Sequence, residues 1–272
     1  MFKINLLVLS LLFLTSCNKS KEEEETFTQE VIIEVSFPEL GSDGPYEVNK
    51  VYNGVGNYIT YYPGNSPIIL SAPHGGDLTP DDIPDRSWGT TVTDTNTKQL
   101  TLAIMNFLDT NHNIKPHVII NNLKRTKLDA NRDKVEAAQG DISAERAFDE
   151  FLDTEFDISE SSIYGLVNKS PEKFSEVLRG PNSFGHLLEE RGYESLPSIV
   201  SPSPEGMRYF SGGYNTYVHG SVETGGGISS IQLEMPAPGI RQNANQWNDF
   251  ASALSEVIIV YFNVHLDINL IN

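Results

Sequence analysis

The sequence has few of the residues that cross-link a chain or attract polyanions. Cys17 is the only cysteine among 272 residues, so no disulfide can form within the chain. The folded part must therefore rely on its own hydrophobic core. Lys and Arg number 19 against 37 Asp and Glu, which gives a formal net charge of −18. An acidic surface of this kind repels nucleic acid and anionic lipid, so we expect no nucleic-acid partner.

The composition of the remaining sequence is that of a globular protein. Hydrophobic residues make up 39% of the chain and the mean hydropathy is −0.28. These values are ordinary for a water-exposed domain. A chain of this length can bury one sizeable core, and we predict one folded domain over residues 30–272.

The N-terminal residues differ in character from the predicted domain. Lys3 precedes an apolar run over residues 6–14, which suits a signal-peptide core and is too short to span a bilayer. The run ends in Leu14-Thr15-Ser16-Cys17, which resembles a bacterial lipobox, where the cysteine is lipidated and becomes the first mature residue. A lone cysteine is elsewhere a buried thiol or a nucleophile. Its place after an apolar run favours acylation.

We therefore predict a signal peptide over residues 1–16, a lipidated Cys17, and a charged tether over residues 17–29. The protein would be an exported bacterial lipoprotein of the cell envelope, held to the membrane by its lipid only. The acidic run over residues 22–25 looks like the export signal of surface lipoproteins in Bacteroidetes, which would place the protein on the outer membrane surface. A plain spacer is the alternative.

The pattern of apolar residues predicts strands that alternate with helices. Strands are predicted at residues 30–36, 57–62, 67–71, 117–120 and 230–234. Helices are predicted at residues 95–108, 143–152, 174–178, 184–191 and 244–262. This order indicates an α/β fold, a three-layer sandwich with a mixed central sheet and helices on both faces. The run at 67–71 is apolar on both faces and is predicted to be a central strand.

Polar residues that can carry chemistry follow two of these strands. His74 lies in Pro73-His74-Gly75-Gly76, after the strand at 67–71, and offers a nitrogen ligand for a metal. Glycines allow a close approach to the backbone. Asp77 stands three residues after His74, an interval common among zinc ligands. Asp94 opens the next helix, where it is expected either as a ligand or simply as an N-cap.

Two further candidates lie later in the chain. The segment 122–133 is dense in polar groups, and its arginines can polarise a carbonyl or bind a carboxylate. The alternative interpretation is that this segment is an ordinary surface loop after a strand. Glu234 lies among apolar neighbours at the end of a predicted strand, where a carboxyl with a raised pKa would serve as a general base toward metal-bound water. Its alternative is an acid that faces solvent at the edge of a strand.

Seven short motifs, taken together, resemble the N-formylglutamate amidohydrolase family. They are residues 71–76 (SAPHGG), 83–86 (IPDR), 94–97 (DTNT), 123–133 (LKRTKLDANRD), 179–181 (RGP), 212–216 (GGYNT) and 231–234 (IQLE). They occur in order over nearly the whole of the predicted domain. The resemblance implies the fold of zinc carboxypeptidases and aspartoacylases.

The resemblance also implies roles for single residues. His74 would bind zinc, with Asp94 or Asp77 as the carboxylate ligand, and Arg125 would stabilise the oxyanion. The substrate carboxylate would be held by Asn131 and Arg132, and Glu234 would be the general base. Tyr214 and His219 would line the substrate pocket. The substrate would be a small acyl-amino-acid or peptide-like molecule with an amide beside a carboxylate.

One part of the family pattern is missing. A third metal ligand is expected on a middle strand, in an Asp-x-His-Gly motif, yet His186 is the only histidine between Asp133 and His219. Since catalytic zinc usually has three protein ligands, three explanations stay open. A segment has been lost, His219 or another acid has replaced the ligand, or the protein binds a carboxylate-bearing ligand without turnover. A structural envelope lipoprotein with no pocket is a further alternative.

Overall fold

The computed structural model describes residue 40 and residues 46–154, 166, 170–172, 174–206, 213–220 and 229–271. They belong to one compact unit, Phe37–Asn272. The predicted signal peptide, Cys17, the tether and the predicted strand at 30–36 lie outside the described residues, as does most of the segment in which the missing ligand was expected.

The described strands form one mixed sheet. They are β1 (Tyr52–Asn53), β2 (Ile59–Tyr62), β3 (Ile69–Ala72) and β4 (His117–Asn121), and their spatial order is β1-β2-β4-β3. β2 pairs antiparallel with both β1 and β4, whereas β3 pairs parallel with β4. Helix α1 (Thr97–His112) connects the two parallel strands.

Six further α-helices follow β4 in the described part of the chain. They are α2 (Lys134–Ala138), α3 (Ile142–Thr154), α4 (Phe174–Arg179), α5 (Phe184–Glu189), α6 (Tyr214–Val218) and α7 (Ala244–Leu266). The sequence therefore predicts the helices α1, α3, α4, α5 and α7 and the strands β2, β3 and β4 correctly.

Alternate residues of β4 face two different helical layers. Ile119 packs with Phe148 and Phe151 of α3, whereas Val118 and Ile120 pack toward Met105 of α1. Such alternation is the period-2 rule of a strand whose two faces are both covered. The α/β class with helices beside a mixed sheet is thus confirmed.

Helix α7 is the longest of the described helices, and its apolar side chains belong to the hydrophobic core. Within the described ranges it is the one helix long and apolar enough to cross a bilayer, but half of that window is buried. Phe250, Leu254 and Val257 lie in the cluster that also contains Leu100 and Leu108 of α1. The apolar stripe of α7 is therefore used to cover α1 and the sheet.

Two predictions about strands are wrong for the described structure. β3 lies at an edge of the four-stranded sheet rather than at its centre. Residues 229–236 form no strand, because their backbone pairs with no described neighbour. Alternating apolar residues at 231, 233 and 235 mimic a strand, although two of them, Leu233 and Met235, pack against the α1–α7 cluster.

The end of β3 is held against β4 by a glycine. A β-carbon at Gly76 would lie 2.3 Å from the carbonyl carbon of Asn122, and that neighbour is backbone, which cannot rotate away. Gly76 is therefore the residue that lets the chain after His74 follow β4 so closely.

We predict that Gly76→Ala lowers the free energy of unfolding by about 3 kcal/mol, the upper range for overpacking. The measurement is urea unfolding followed by circular dichroism. Gly140→Ala is the matched control, since a β-carbon there meets nothing within 4 Å and the change is strained only by the φ of +83°. Equal losses in the two variants would contradict the close packing at Gly76.

Candidate functional site

The loop that follows β3 places His74 at the carboxyl edge of the sheet. Asn121 Nδ2 donates to the carbonyl of Pro73 at 2.9 Å, and Thr97 Oγ1 donates to the carbonyl of His74 at 2.7 Å. Gly75 has a φ of +91°, and Thr97 occupies the space where its β-carbon would be. The two glycines thus admit atoms of the protein itself, namely Thr97 and the backbone after β4.

The imidazole of His74 lies between two carboxylates. Its Nε2 is 2.7 Å from Oδ1 of Asp129, and its Nδ1 is 2.9 Å from Oδ2 of Asp94. The Asp129 side chain is fully buried, whereas that of Asp94 is 39% exposed. Nε2 therefore points toward the protein interior, and Nδ1 points toward the side of the site that solvent reaches.

Arg125 contacts the same two carboxylates. Its Nε donates to Asp129 Oδ2 at 2.8 Å, and its Nη1 donates to Asp94 Oδ2 at 3.2 Å. His74, Asp94, Arg125 and Asp129 thus form a closed ring of ion pairs, which we call the His74 cluster. Arg125 Nη1 also reaches the carbonyl of Val92 at 3.3 Å.

Interactions within the His74 cluster shift the pKa values of its histidine and its two carboxylates toward the ionised forms. Burial lowers the pKa of His74, but hydrogen bonds to Asp129 and Asp94 outweigh it and the pKa is raised overall. Burial alone would raise the pKa of Asp129, yet His74 and Arg125 hold it far below its usual range. The pKa of Asp94 is lowered chiefly by its hydrogen bond to His74. Each basic side chain of the cluster therefore favours the ionised form of the carboxylates beside it, and the carboxylates favour protonated His74.

Of the two carboxylates predicted to bind metal with His74, only Asp94 lies beside it in the described structure. Asp94 reaches His74, whereas the side chain of Asp77 is exposed and forms no hydrogen bond or ion pair with the described members of the cluster. Asp94 is also not the N-cap of α1: that position belongs to Asn96, whose φ of 66° is left-handed. His186 pairs with Glu189 at 3.4 Å on α5. Across the described ranges, no group of three or more His, Cys, Asp or Glu side chains is arranged to hold a metal ion.

Asn131 and Arg132 follow Asp129 and make mostly internal contacts. The side-chain oxygen of Asn131 accepts from the backbone N–H of Asn215 at 2.9 Å, and its Nδ2 donates to Gln232 at 3.4 Å. Arg132 pairs with Glu136 at 3.3 Å, with one third of its side chain exposed. Asn131 thus joins the loop after β4 to α6 and to residues 229–236, and Arg132 is the residue of the pair that solvent reaches.

Glu234 is exposed and lies in an irregular segment, so the prediction that it lies at the end of a strand is wrong. Its carboxylate accepts a hydrogen bond from Gln232 Nε2 at 2.5 Å. Because Gln232 also accepts from Asn131, hydrogen bonds connect Glu234 to the loop that carries Asp129.

Tyr214 and His219 lie at the two ends of α6. The ring of Tyr214 is 6.2 Å from that of Phe148, and burial raises the pKa of the Tyr214 phenol. His219 is half-buried and ends the helix by donating its backbone N–H to Asn215. The described structure thus places Tyr214 against α3 and His219 at the C-terminal end of α6.

Asp129 is the member of the cluster to which sequence reasoning gave no role. It lies four residues after Arg125 and between Leu128 and Ala130, which are both fully buried. An acid enclosed by buried apolar residues needs a cationic partner. That local pattern is the signal which would have pointed to Asp129.

One surface depression of the described structure lies away from this site. An open groove of about 610 Å³ lies between α1 and α7, with Phe107 and Trp247 in its lining, and no member of the His74 cluster lines it. The candidate site is therefore identified by the polar side chains of the His74 cluster and not by this groove.

Comparison of the chain with protein-family models, with curated proteins and with solved structures finds no match. The resemblance to N-formylglutamate amidohydrolases therefore stays a prediction, and any function must be argued from the His74 cluster.

The pH dependence of stability in the metal-free protein follows from these pKa directions. Asp94 and Asp129 stabilise the fold fully above their unfolded pKa of about 3.9, and this contribution is lost as pH falls through their lower folded values. His74 stabilises the fold fully below its unfolded pKa of about 6.5, and this contribution is lost as pH rises through its raised folded value. We predict maximal stability from about pH 4 to pH 6.5.

Asp129→Asn tests the origin of this window. It removes the buried charge that faces both cations, so the free energy of unfolding should fall by about 3–5 kcal/mol and depend less on pH at both ends of the window. Urea unfolding from pH 3 to pH 9 in the presence of a chelator measures both effects. An unchanged pH profile in the variant would contradict the charge assignment.

Asn215 gives a second prediction. Its side-chain oxygen and nitrogen are buried and find no hydrogen-bond partner among the described residues. A buried unpaired polar group costs about 1–3 kcal/mol, so we expect Asn215→Leu to raise the melting temperature. Thr216→Val is the control, because the Thr216 hydroxyl bonds with Gly213 at 2.9 and 3.0 Å and its loss should lower the melting temperature.

Proposed function

We propose that this protein is a zinc-dependent amidohydrolase of the N-formylglutamate amidohydrolase type, which hydrolyses an amide beside a carboxylate. The observation that carries the proposal is the position of His74, with Asp129 on Nε2 and Asp94 next to Nδ1. The proposal includes the zinc-exopeptidase-like fold implied by the resemblance.

The donor set of the cluster suits zinc. A carboxylate on one imidazole nitrogen holds a proton there and directs the other nitrogen toward a metal, as ligating histidines in proteins usually require. Nδ1 of His74 and Oδ2 of Asp94 lie 2.9 Å apart on the exposed side of the cluster. His74 and Asp94 would therefore hold the ion, and Asp129 would orient His74.

A bound zinc would polarise the substrate carbonyl and make a water molecule nucleophilic near neutral pH. Side chains of the protein would stabilise charge, bind the substrate and accept a proton. Arg125, beside Asp94, would face the charge that develops on the carbonyl oxygen. Arg132 would bind the substrate carboxylate with its exposed part. Glu234, which is exposed and joined to Asn131 through Gln232, would take a proton from the attacking water.

A second function is favoured by the small number of metal donors. The described residues supply two ligands, whereas catalytic zinc usually has three. The protein would then be a surface lipoprotein that binds a carboxylate-bearing ligand through Arg125 and Arg132 without turnover. In either case we propose that it is exported and held to the cell envelope by a lipid on Cys17.

The first test is metal content and hydrolysis of an N-acetyl-amino acid by the purified protein. We predict about one zinc per chain, and loss of zinc and of activity in His74→Gln, because Nδ1 supplies a ligand. His186→Gln is the matched control, since His186 pairs with Glu189 and lies outside the cluster. Glu234→Gln should retain zinc and lower kcat by about 10²–10⁴-fold.

The outcomes separate the two functions. Wild-type protein that holds no zinc, or whose activity is untouched by Glu234→Gln, contradicts the hydrolase proposal. Binding of the N-acetyl-amino acid that survives a chelator, and that Arg132→Ala abolishes, would instead support the binding protein.

A further inference from the structure

Arg86 is a buried arginine that lies behind the His74 cluster. Its side chain is 1% exposed, and its guanidinium donates to three backbone carbonyls. Nη1 reaches Thr90 at 2.8 Å and Arg125 at 2.9 Å, and Nε reaches Glu136 at 3.1 Å. One side chain thus joins the loop before α1, the loop after β4, and α2.

Two of these carbonyls belong to the segments that carry the ion pair between Arg125 and Asp94. The bond to the Arg125 carbonyl fixes the backbone from which that guanidinium extends. The bond to Thr90 fixes the segment that continues to Val92, whose carbonyl accepts from Arg125 Nη1, and to Asp94. Arg86 therefore holds both segments of this pair at a set separation.

Arg86 also adds charge at the site. Its Nη1 lies 3.9 Å from Oδ2 of Asp129, the carboxylate that contacts His74. An arginine keeps its charge at every physiological pH. Arg86 is thus a third basic side chain near Asp129, in addition to His74 and Arg125.

We propose that Arg86 is a positioning residue of the candidate metal site, which keeps Asp94 and Arg125 aligned with His74. The inference rests on the proposed function in one respect only: it assumes that the aligned groups serve zinc. The fork shape of a guanidinium is required, because a lysine offers a single charged centre and cannot reach the three carbonyls together.

Lys127 provides a matched control. Its Nζ donates to the carbonyl of Ile83 at 2.5 Å and lies 3.0 Å from Asp85. It therefore connects the loop before α1 to the loop after β4, as Arg86 does, but among the described residues it forms no hydrogen bond or ion pair with the cluster. We expect Lys127→Met to loosen this junction and to leave the contacts of Arg125, Asp94 and Asp129 in place.

The experiment compares the zinc Kd of wild type, Arg86→Lys, Arg86→Gln and Lys127→Met by calorimetry, after circular dichroism has checked their folding. Loss of a residue that orients metal ligands typically weakens metal binding by about 10–100-fold, and we expect a loss of this size in both Arg86 variants. Lys127→Met should bind zinc within about threefold of wild type, although its melting temperature falls. Wild-type affinity in the Arg86 variants, or an equal loss in Lys127→Met, would overturn the proposal.

A second readout needs no metal. In metal-free protein below about pH 6.5, where a raised pKa keeps His74 protonated, NMR should show both ring N–H protons of His74, assigned by their loss in His74→Gln. The Arg86 variants should lose the Nδ1–H signal that faces Asp94, and Lys127→Met should keep it. If wild type binds no zinc, the proposed function fails and this readout alone decides the role of Arg86. Retention of both signals in the Arg86 variants would contradict that role.

Discussion

The site depends on one buried carboxylate. Asp129 is fully buried and accepts from His74 at 2.7 Å and from Arg125 at 2.8 Å. A buried charge is tolerated only when such partners offset its lost hydration. The loop after β4 must therefore fold so that both cations reach Asp129. That requirement fixes where His74 and Arg125 stand, and with them Asp94 at the exposed side.

The fold meets this requirement through β3 and β4. The two strands are parallel and adjacent, so the loops at their carboxyl ends meet at one edge of the sheet. His74 comes from the first loop and Asp129 from the second. Gly76 lets the first loop pack against the backbone of Asn122. Thr97, at the start of α1, holds the same loop by a hydrogen bond to the carbonyl of His74. The layers of α3 on one face and of α1 with α7 on the other keep this edge in place.

The sequence predicted the elements whose apolar pattern is set by burial on a regular period. The strand at 117–120 and the helix at 244–262 are examples, since both faces of β4 and one stripe of α7 are buried. It failed for residues 230–234, where alternation arises from contacts of Leu233 and Met235 with the helical cluster and not from strand pairing. It found His74, Asp94 and Arg125 as separate candidates. It could not show that Asp129 joins them, because ion pairs between loops leave no periodic pattern.

The central claim is that Asp129 holds the proton of His74 on Nε2, so that Nδ1 is the nitrogen available to a cation. Nitrogen-15 NMR of the His74 ring during a zinc titration tests it directly. The account predicts that zinc displaces the proton of Nδ1 while the Nε2–H signal remains. Loss of the Nε2 proton, or a ring spectrum that zinc leaves unchanged, would contradict it.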